Sequence, residues 1–474
     1  MSANRTVSSD GTVSTDSKGP ANTSSPDPQA ISYTPAYRRY VLVILTVVYA
    51  FNFIDRQILV ILQESIKADM GLSDTQLGLL TGFAFAIFYV SVGIPIARWA
   101  DAGNRRNIVA LAITVWSGMT ALSGMTQNFF QLLLARIGVG VGEAGGSPPA
   151  HSMISDYYPA EQRGTALSFY STGVYIGILL GFLIGGWINH TFGWRWAFFV
   201  VGVPGILIAL LVRFTIREPV RGQSDPVDPR IVQAGSKPRA SFKHTMATLW
   251  QLRSFRFYSV AAGLAAFTSY GLGNFMPSFL IRTHGFDSLQ VGTSLALITG
   301  IGGAAGTFLG GYFADRLGKR DMRWYLWIAA IPALICLPMN FLALTHDQSN
   351  WALAFLFLAT MTGAFYLGPT IAITHTLLPP MMRAMGSAVL FFILNLIGLG
   401  MGPLFVGMLS DFLAPSLGSE SLRYAMIFTS FVGLIAAIAA FIGAAKLPQD
   451  LKRQQQHNDM ERSSAAEAAL PESV

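Results

Sequence analysis

Four charged residues stand where the sequence is otherwise apolar. Asp55 and Arg56 lie in FNFIDRQILVIL, residues 51–62, inside an apolar run that starts at Tyr40. Arg136 and Glu143 lie two helical turns apart in LLLARIGVGVGE, residues 132–143. An ion at the centre of a lipid-facing helix costs at least ~2.5 kcal/mol, so all four should face protein or a watery cavity. A carboxyl in apolar surroundings keeps its proton to higher pH than in water, and can then load and unload it in a useful range. That is proton-coupling chemistry, and it falls to Asp55 and Glu143. A buried guanidinium suits an anionic or polar head group. Arg136 is the first choice for that role, with Arg56 and Asn52 beside it. The alternative is a purely structural Asp55–Arg136 ion pair. Such a pair stabilises little net of desolvation, and it leaves Glu143 without a partner.

Helical geometry puts the two acids at one depth. Asp55 is ~22 Å of helix rise from Tyr40, and Glu143 is ~20 Å from Asp156. Asp55 and Arg56 are neighbours, so their side chains diverge by about 100° and cannot share a target. Around Glu143 the backbone should be irregular. Gly138, Gly140, Gly142, Gly145, Gly146, Pro148 and Pro149 crowd the segment. Glycine weakens a helix, proline removes its hydrogen bonds, and such backbone is tolerated at membrane depth only against protein or a cavity.

The elements that hold these residues are membrane helices. Of 474 residues, 52% are hydrophobic and 12% charged, a charge content too low to cover a soluble surface. Crossing a bilayer core takes ~20 apolar residues. On that measure twelve segments are expected, at roughly 40–62, 75–97, 107–125, 129–154, 165–188, 196–217, 256–281, 290–314, 324–344, 351–377, 384–410 and 424–445. The expected class is therefore an all-α membrane protein of twelve transmembrane helices in two six-helix bundles.

The basic residues give the orientation. With both termini cytoplasmic, 26 of the 32 Lys and Arg fall inside, against Lys67, Arg195, Arg282 and Arg423 outside. The net charge of +7 is thus topological, and no nucleic-acid surface is expected. Residues 1–34 read as a disordered cytoplasmic tail, 35–217 as the N-terminal bundle and 218–252 as a cytoplasmic inter-bundle loop. Residues 253–446 read as the C-terminal bundle and 447–474 as a second tail, partly helical. Cys336 is the one cysteine, so no intrachain disulfide can form.

The halves repeat. ARWADAGNRR, residues 97–106, corresponds to GYFADRLGKR, residues 311–320, with Asp101 on Asp315. YYPAEQRGTALS corresponds to LLPPMMRAMGSA, with Arg163 on Arg383. Parallel repeats of this kind are a transporter plan, with the cargo site between them near the midplane. The loop GYFADRLGKR resembles the signature of the major facilitator superfamily. The combination of NFIDR, GIPIARWAD and RIGVGVGEAGGSPPAHSMISDYYP resembles its Spinster family, whose members are implicated in moving sphingolipid-like and lysolipid molecules. The resemblance implies alternating access and a lipid cargo. It also makes the glycines at 173, 177, 181, 185 and 186 a face that slides between the bundles; without it they read as a close-packing face.

Other chemistry is weakly represented. Gly140–Gly145 spells G-x-G-x-x-G, but inside an apolar helix and not after a strand. No phosphate-binding G-x-x-x-x-G-K-S/T occurs, and His151 and His375, near the cytoplasmic ends of their helices, lack a second ligand at i+3 or i+4. No cofactor, metal or enzymatic activity is expected. The second half offers Tyr270, Asn274 and Phe275 before Pro277, Tyr366 before Gly368-Pro369, and Asn395 after Phe391 and Phe392. A polar first half facing an aromatic second half suits an amphipathic molecule, although each aromatic alone reads more readily as lipid-facing or core. Asp101, Arg105, Arg106, Arg163, Asp315 and Arg316 should form a cytoplasmic gate of weak, breakable pairs. The expected function is proton-coupled transport of an amphipathic lipid by a monomer in the bacterial inner membrane. A small organic anion or drug is the second cargo class, and a non-transporting membrane sensor the alternative from another class.

Overall fold

The computed structural model describes residues 33–222, 224, 242–379 and 382–467. Nearly all of the N-terminal tail, the middle of the inter-bundle loop and residues 468–474 lie outside that set. Among the described residues every regular element is helical. In order they are α1 Pro35–Met70, α2 Asp74–Ala102, α3 Arg105–Ser123, α4 Phe129–Glu143, α5 Ser147–Tyr157, α6 Ala160–Phe192 and α7 Trp194–Thr215. There follow α8 Phe242–Gln251, α9 Arg253–His284, α10 Ser288–Gly318, α11 Trp324–Thr345 and α12 Ser349–Leu377. The last are α13 Arg383–Ile393, α14 Gly402–Leu417, α15 Ser421–Ser430 and α16 Val432–Glu467.

Every predicted segment falls on helix, but length and hydropathy do not return the count of twelve. Eight helices among the described residues are long and apolar enough to cross a bilayer, the last of them, Met385–Gln456, running through two predicted segments. Segments 107–125, 129–154 and 256–281 are not among the eight. The reasons are local. Segment 129–154 is broken at residues 144–146 into α4 and α5, as its glycines and prolines foretell. Helix α3 opens on Arg105 and Arg106, and α9 carries Ser, Thr, Asn and Arg along its length. The C-terminal tail is helical in part, as read from the sequence: α16 continues past residue 447 to Glu467. Its entry is tied down, since Leu447 is fully buried and Asp450 accepts hydrogen bonds from Ser254 N at 2.7 Å and Ser254 Oγ at 2.6 Å.

The repeat is visible in backbone detail. Ser73 and Asp287 each cap their helix with a reciprocal box to Gln76 and Gln290. In both helices a π-turn follows, at Leu79–Phe83 and Ala296–Gly302. Arg163 Nε donates to Tyr158 O at 3.0 Å, and Arg383 Nε to Leu378 O at 3.3 Å. Each thereby satisfies a carbonyl at the end of the preceding helix. The arginine correspondence read from the sequence is a capping device used twice.

The helices of residues 35–215 and those of 253–467 meet on the side away from the start of α1 and the end of α16. There one continuous apolar cluster joins Ile58 and Leu62 of α1, Phe182 of α6, Phe279 of α9, Leu295 of α10 and Val406 of α14. On the opposite side the buried clusters are centred separately, on Trp116, Met153 and Tyr170 in the first set and on Leu326, Ile373 and Leu447 in the second. The molecule is closed at the first side.

The glycine stripe of α6 needs correction. A Cβ on Gly173 would lie 2.7 Å from Thr46 O, and one on Gly181 would lie 3.2 Å from Ile54 Cα. Gly173, Gly177, Gly181 and Gly185 therefore seat α1 within the same set of helices. Gly186 alone of the five meets the other set, against Ser288 and Gly292 of α10. Four-residue spacing keeps a stripe on one face, whereas one further residue turns by about 100°. Gly292 sits at the closing contact, where a Cβ would lie 2.5 Å from Phe182 O and 3.0 Å from Gly186 Cα. Overpacking costs ~1–3 kcal/mol, worth about 5- to 150-fold in a two-state equilibrium. Gly292→Val should open the closed side. The check is faster thiol labelling of a Ser278→Cys probe in a Cys336→Ala background; equal labelling rates would show that this contact does not hold the side shut.

Candidate functional site at the buried charges

The four buried charges converge. Arg56 Nε donates to Glu143 Oε2 at 2.7 Å, joining α1 to the end of α4. The Arg56 guanidinium also lies over three rings, Phe53 at 5.1 Å, Phe85 at 4.8 Å and Tyr89 at 5.2 Å. Arg136 faces Phe85 as well, at 5.8 Å. Asp55, Arg136 and Glu143 are 1%, 2% and 1% exposed, whereas the Arg56 side chain keeps 16%. Arg56 is therefore the member of the group that reaches toward open space.

The pairing differs from the sequence expectation. Glu143 is bound by Arg56, not by Arg136, and no Asp55–Arg136 bond forms. Asp55 faces Thr120, Arg136 and Glu143, yet neither of its carboxyl oxygens is in hydrogen-bonding geometry. Arg136 Nε and Nη1 are likewise buried without a partner. Glu143 Oε1 is also unsatisfied, with Asn52 alongside its carboxyl. The divergence of Asp55 and Arg56 explains the result. Arg56 points to α4 and the aromatic wall, and Asp55 points to α3.

Across from Arg56 the second set of helices supplies Tyr270, close enough to act on the guanidinium electrostatically, as does Tyr89. Tyr366 lies beside Tyr270 and Tyr175, and Tyr175 hydrogen-bonds Thr307 of α10. Tyr49 stacks on Tyr170 with ring centroids 4.4 Å apart. Tyr49, Tyr89, Tyr170 and Tyr175 were not among the sequence candidates. Periodicity makes them ordinary members of apolar helices, and only the positions of their neighbours reveal a common wall. Two candidates leave the site. Phe275 is fully buried in the core of the closed side. Asn274 caps inward, its Nδ2 donating to Tyr270 O at 2.7 Å while its carbonyl accepts from Gln63 Nε2 at 2.6 Å. Both contacts are to backbone carbonyls within or onto α9, so the Asn274 side chain is spent on its own helix. Asn395 is partly exposed, with its Nδ2 on Phe391 O at 2.8 Å.

The closed side carries an ionic network that the sequence did not announce. Arg282 of α9 binds Glu64 of α1 at 2.6 and 3.1 Å and Asp74 of α2 at 2.7 and 2.8 Å. Asp74 also takes Lys67 and, at 2.7 Å, the hydroxyl of Ser410 on α14. Asp411 accepts the amides of Asp74 and Thr75 at 3.1 and 2.7 Å. Bidentate Arg–carboxylate bonds are the strong, geometrically specific kind. By sequence, Lys67 and Arg282 are simply basic residues outside the membrane. The signal available was an acid-rich α1 end facing an isolated arginine.

The expected gate residues divide. Asp315 accepts from Tyr325 OH at 3.0 Å, and Arg316 Nη1 is 3.3 Å from Tyr312 OH, so both are held within their own set of helices. Asp101 is exposed at the end of α2. Arg105 is not a breakable surface contact. It is 1% exposed and binds Asp156, Ser152 Oγ at 2.8 Å, Glu218 Oε1 at 2.8 Å and Pro219 O at 2.9 Å. Arg106 N donates to Glu218 Oε2 at 2.8 Å. This node fastens α3, α5 and the segment after α7 together.

A helical membrane protein with two repeated halves and ions buried in one of them is built as a transporter. The sequence profile of the Major Facilitator Superfamily matches residues 45–399, and the chain belongs to that family. It is therefore an integral membrane transporter and not an enzyme. It is 36% identical over 412 residues to an MFS-type efflux pump of Mycolicibacterium smegmatis, covering 86% of this chain and 93% of that one. It is 26% identical over 445 residues to protein spinster homolog 1 of Xenopus tropicalis, covering 88% and 83%. Among solved structures it resembles a bacterial homolog to the human lysosomal transporter Spinster in an inward-facing, unoccupied conformation. That likeness has a TM-score of 0.80 at 34% identity, over 88% of this chain and 99% of the other. The Spinster resemblance read from the sequence is thus supported by both comparisons.

Removing one partner from a buried ion pair costs ~3–5 kcal/mol, because the other charge is stranded. Arg105→Ala strands Asp156 and Glu218 and should lower the thermal midpoint in detergent by several degrees. Asp315→Ala, at an exposed position, should leave it unchanged. Equal midpoints for both variants would return Arg105 to the role of a weak gate contact.

Proposed function

We propose that this protein is a proton-coupled secondary transporter that moves an amphipathic lipid, sphingosine-like or a lysolipid, by alternating access. The observation that carries the reading is the count of charges at the site. Two acids and two bases are buried together, but one ion pair forms. A buried carboxylate without a partner costs several kcal/mol to keep ionised, so Asp55 takes a proton in this state. When Glu143 is protonated in its turn, Arg56 is released toward Tyr89 and Tyr270. A guanidinium beside aromatic rings then offers a seat for a polar head group with an apolar body. Arg136, against Phe85, senses the charge of both acids.

The architecture proposed with this function is twelve spans in two six-helix bundles, residues 35–217 and 253–446, with both termini in the cytoplasm of a bacterial inner-membrane protein. The closed side is then the outer one, and the conformation faces inward. The protein works as a monomer. Asp101, Arg106, Asp315 and Arg316 close the inner side in the opposite state. A small organic molecule is the second reading, favoured by the likeness to the efflux pump.

Proteoliposomes with an imposed pH gradient test both cargo classes side by side. Lysolipid or sphingosine movement driven by the gradient supports the first reading, and movement of organic anions or drugs alone supports the second. Asp55→Asn and Glu143→Gln should each reduce the effect of the gradient to nothing while the protein stays folded, and Arg56→Ala should lose cargo binding. If both acid variants respond to the gradient like the parent, the buried charges are structural. Asp315→Arg should hold the inner side open, read as increased labelling of a cysteine introduced at Asn395. Unchanged labelling removes Asp315 from the gate.

A further inference from the structure

A second site lies on the outer wall of the first set of helices, away from the buried charges. Between the start of α3 and the end of α7 is a cleft of about 570 Å³, lined among others by Trp99, Asn104, Asn107, Leu111, Leu210 and Arg213. Its residues sort by depth. Asn107 is in the first turn of α3 and Arg213 in the last turn of α7, so both lie at the same level. Leu111 is one turn further along α3, or ~6 Å deeper, and Leu210 ~4.5 Å deeper along α7. Leu111 and Leu210 are 50% and 49% exposed, and the neighbouring Leu207 and Phe214 are 62% and 76% exposed, which marks this wall as the lipid-facing belt. Trp99, 51% exposed, stands at the rim, where tryptophan favours the membrane–water boundary.

The polar end is cationic. Arg213 is exposed and has a ring contact with Phe214, but no ion pair among the described residues. Arg106 holds a second guanidinium beside the cleft, with Nε on Asn107 Oδ1 at 3.1 Å and Nη1 on Ile216 O at 3.3 Å. The nearby acid Glu218 spends its oxygens on Arg105 Nε and Arg106 N. The cleft thus joins a cationic end, where Arg213 has no ion pair among the described residues, to an apolar floor that runs into the hydrocarbon. An anion alone would leave the floor exposed, and a neutral lipid would leave Arg213 unmatched.

We propose that this cleft binds one anionic phospholipid of the surrounding leaflet, its phosphate on Arg213 and the amides of Asn104 and Asn107, and one acyl chain over Leu111 and Leu210. The lipid braces α3 against α7 on the side opposite the transport path. It is held as a bound structural lipid, separate from the cargo.

The test uses the full chain in detergent after delipidation, with native mass spectrometry and thermal unfolding as readouts. Phosphatidylglycerol should bind as one retained copy and raise the unfolding midpoint, whereas phosphatidylcholine of the same chains should do neither. Arg213→Glu should weaken phosphatidylglycerol binding about tenfold or more, since it reverses a charge at the lipid surface, while Arg213→Lys should keep most of it. Arg213 is exposed, so the variants should remain monodisperse. Leu111→Asp should lose lipid retention while the Arg56–Glu143 site is untouched. Equal retention by wild type and Arg213→Glu overturns the proposal. So does equal binding of the two lipids, or full displacement of phosphatidylglycerol by inorganic phosphate, which makes the site one for a free anion.

Discussion

An ion removed from water must be matched, and the Arg56–Glu143 bond is where this protein meets that demand most directly. The bond ties α1 to the point where α4 breaks. At 2.7 Å it is charge-assisted and desolvated on nearly all sides. The break itself follows from glycines and prolines in the same segment, which leave the helix end free to turn away after Glu143. Phe53, Phe85 and Tyr89 cover the guanidinium and give it partial compensation through their faces. Asp55 and Arg136 remain beside the pair without bonds of their own. On the proposed mechanism this uneven set of bonds is what lets the site change its charge by taking up a proton.

The closed side answers the same demand with a different solution. Arg282 reaches from the second set of helices to two carboxylates of the first, and Asp411 caps the start of α2 from α14. These bonds surround an apolar seam where Gly186 and Gly292 allow α6 and α10 to approach closely. Small residues set the distance and ions fix the register. On the other side the sequence invests in fastening each set of helices to itself. Arg105 joins α3 to α5 and to the segment after α7, and Asp450 anchors the last long helix to the start of α9. One side is held by contacts between the two sets, the other by contacts within each.

Duplication explains much of this economy. The capping boxes at Ser73 and Asp287, the π-turns after them, and the arginine caps at Arg163 and Arg383 recur at matching places. The two copies have diverged where chemistry is concentrated. The first carries the ions at depth, and the second carries Tyr270 and Tyr366 in their place. The internal symmetry is thus a property of the frame, and the asymmetry belongs to the site.

The sequence by itself determined that the chain is a helical membrane protein, where its apolar segments run, that it is duplicated, and that four charges lie within apolar segments, the two acids at one depth. These are one-dimensional properties: hydropathy, spacing and charge count act along the chain and need no knowledge of neighbours. It also located the break after Glu143, because glycine and proline act on their own backbone. It did not determine which charges pair. Arg56, at a similar depth, and Arg136, two turns away on the same helix, were both candidates for Glu143, and the rotation of α1 about its axis chose between them. Nor could it separate Arg105 from the exposed gate residues, since burial there depends on Asp156 and Glu218, far away in sequence. The glycines of α6 were legible as a packing face but not by which helix would fill it. Tertiary structure decided these points because each rests on the relative rotation and approach of helices, and that is set by many weak contacts acting together across the fold.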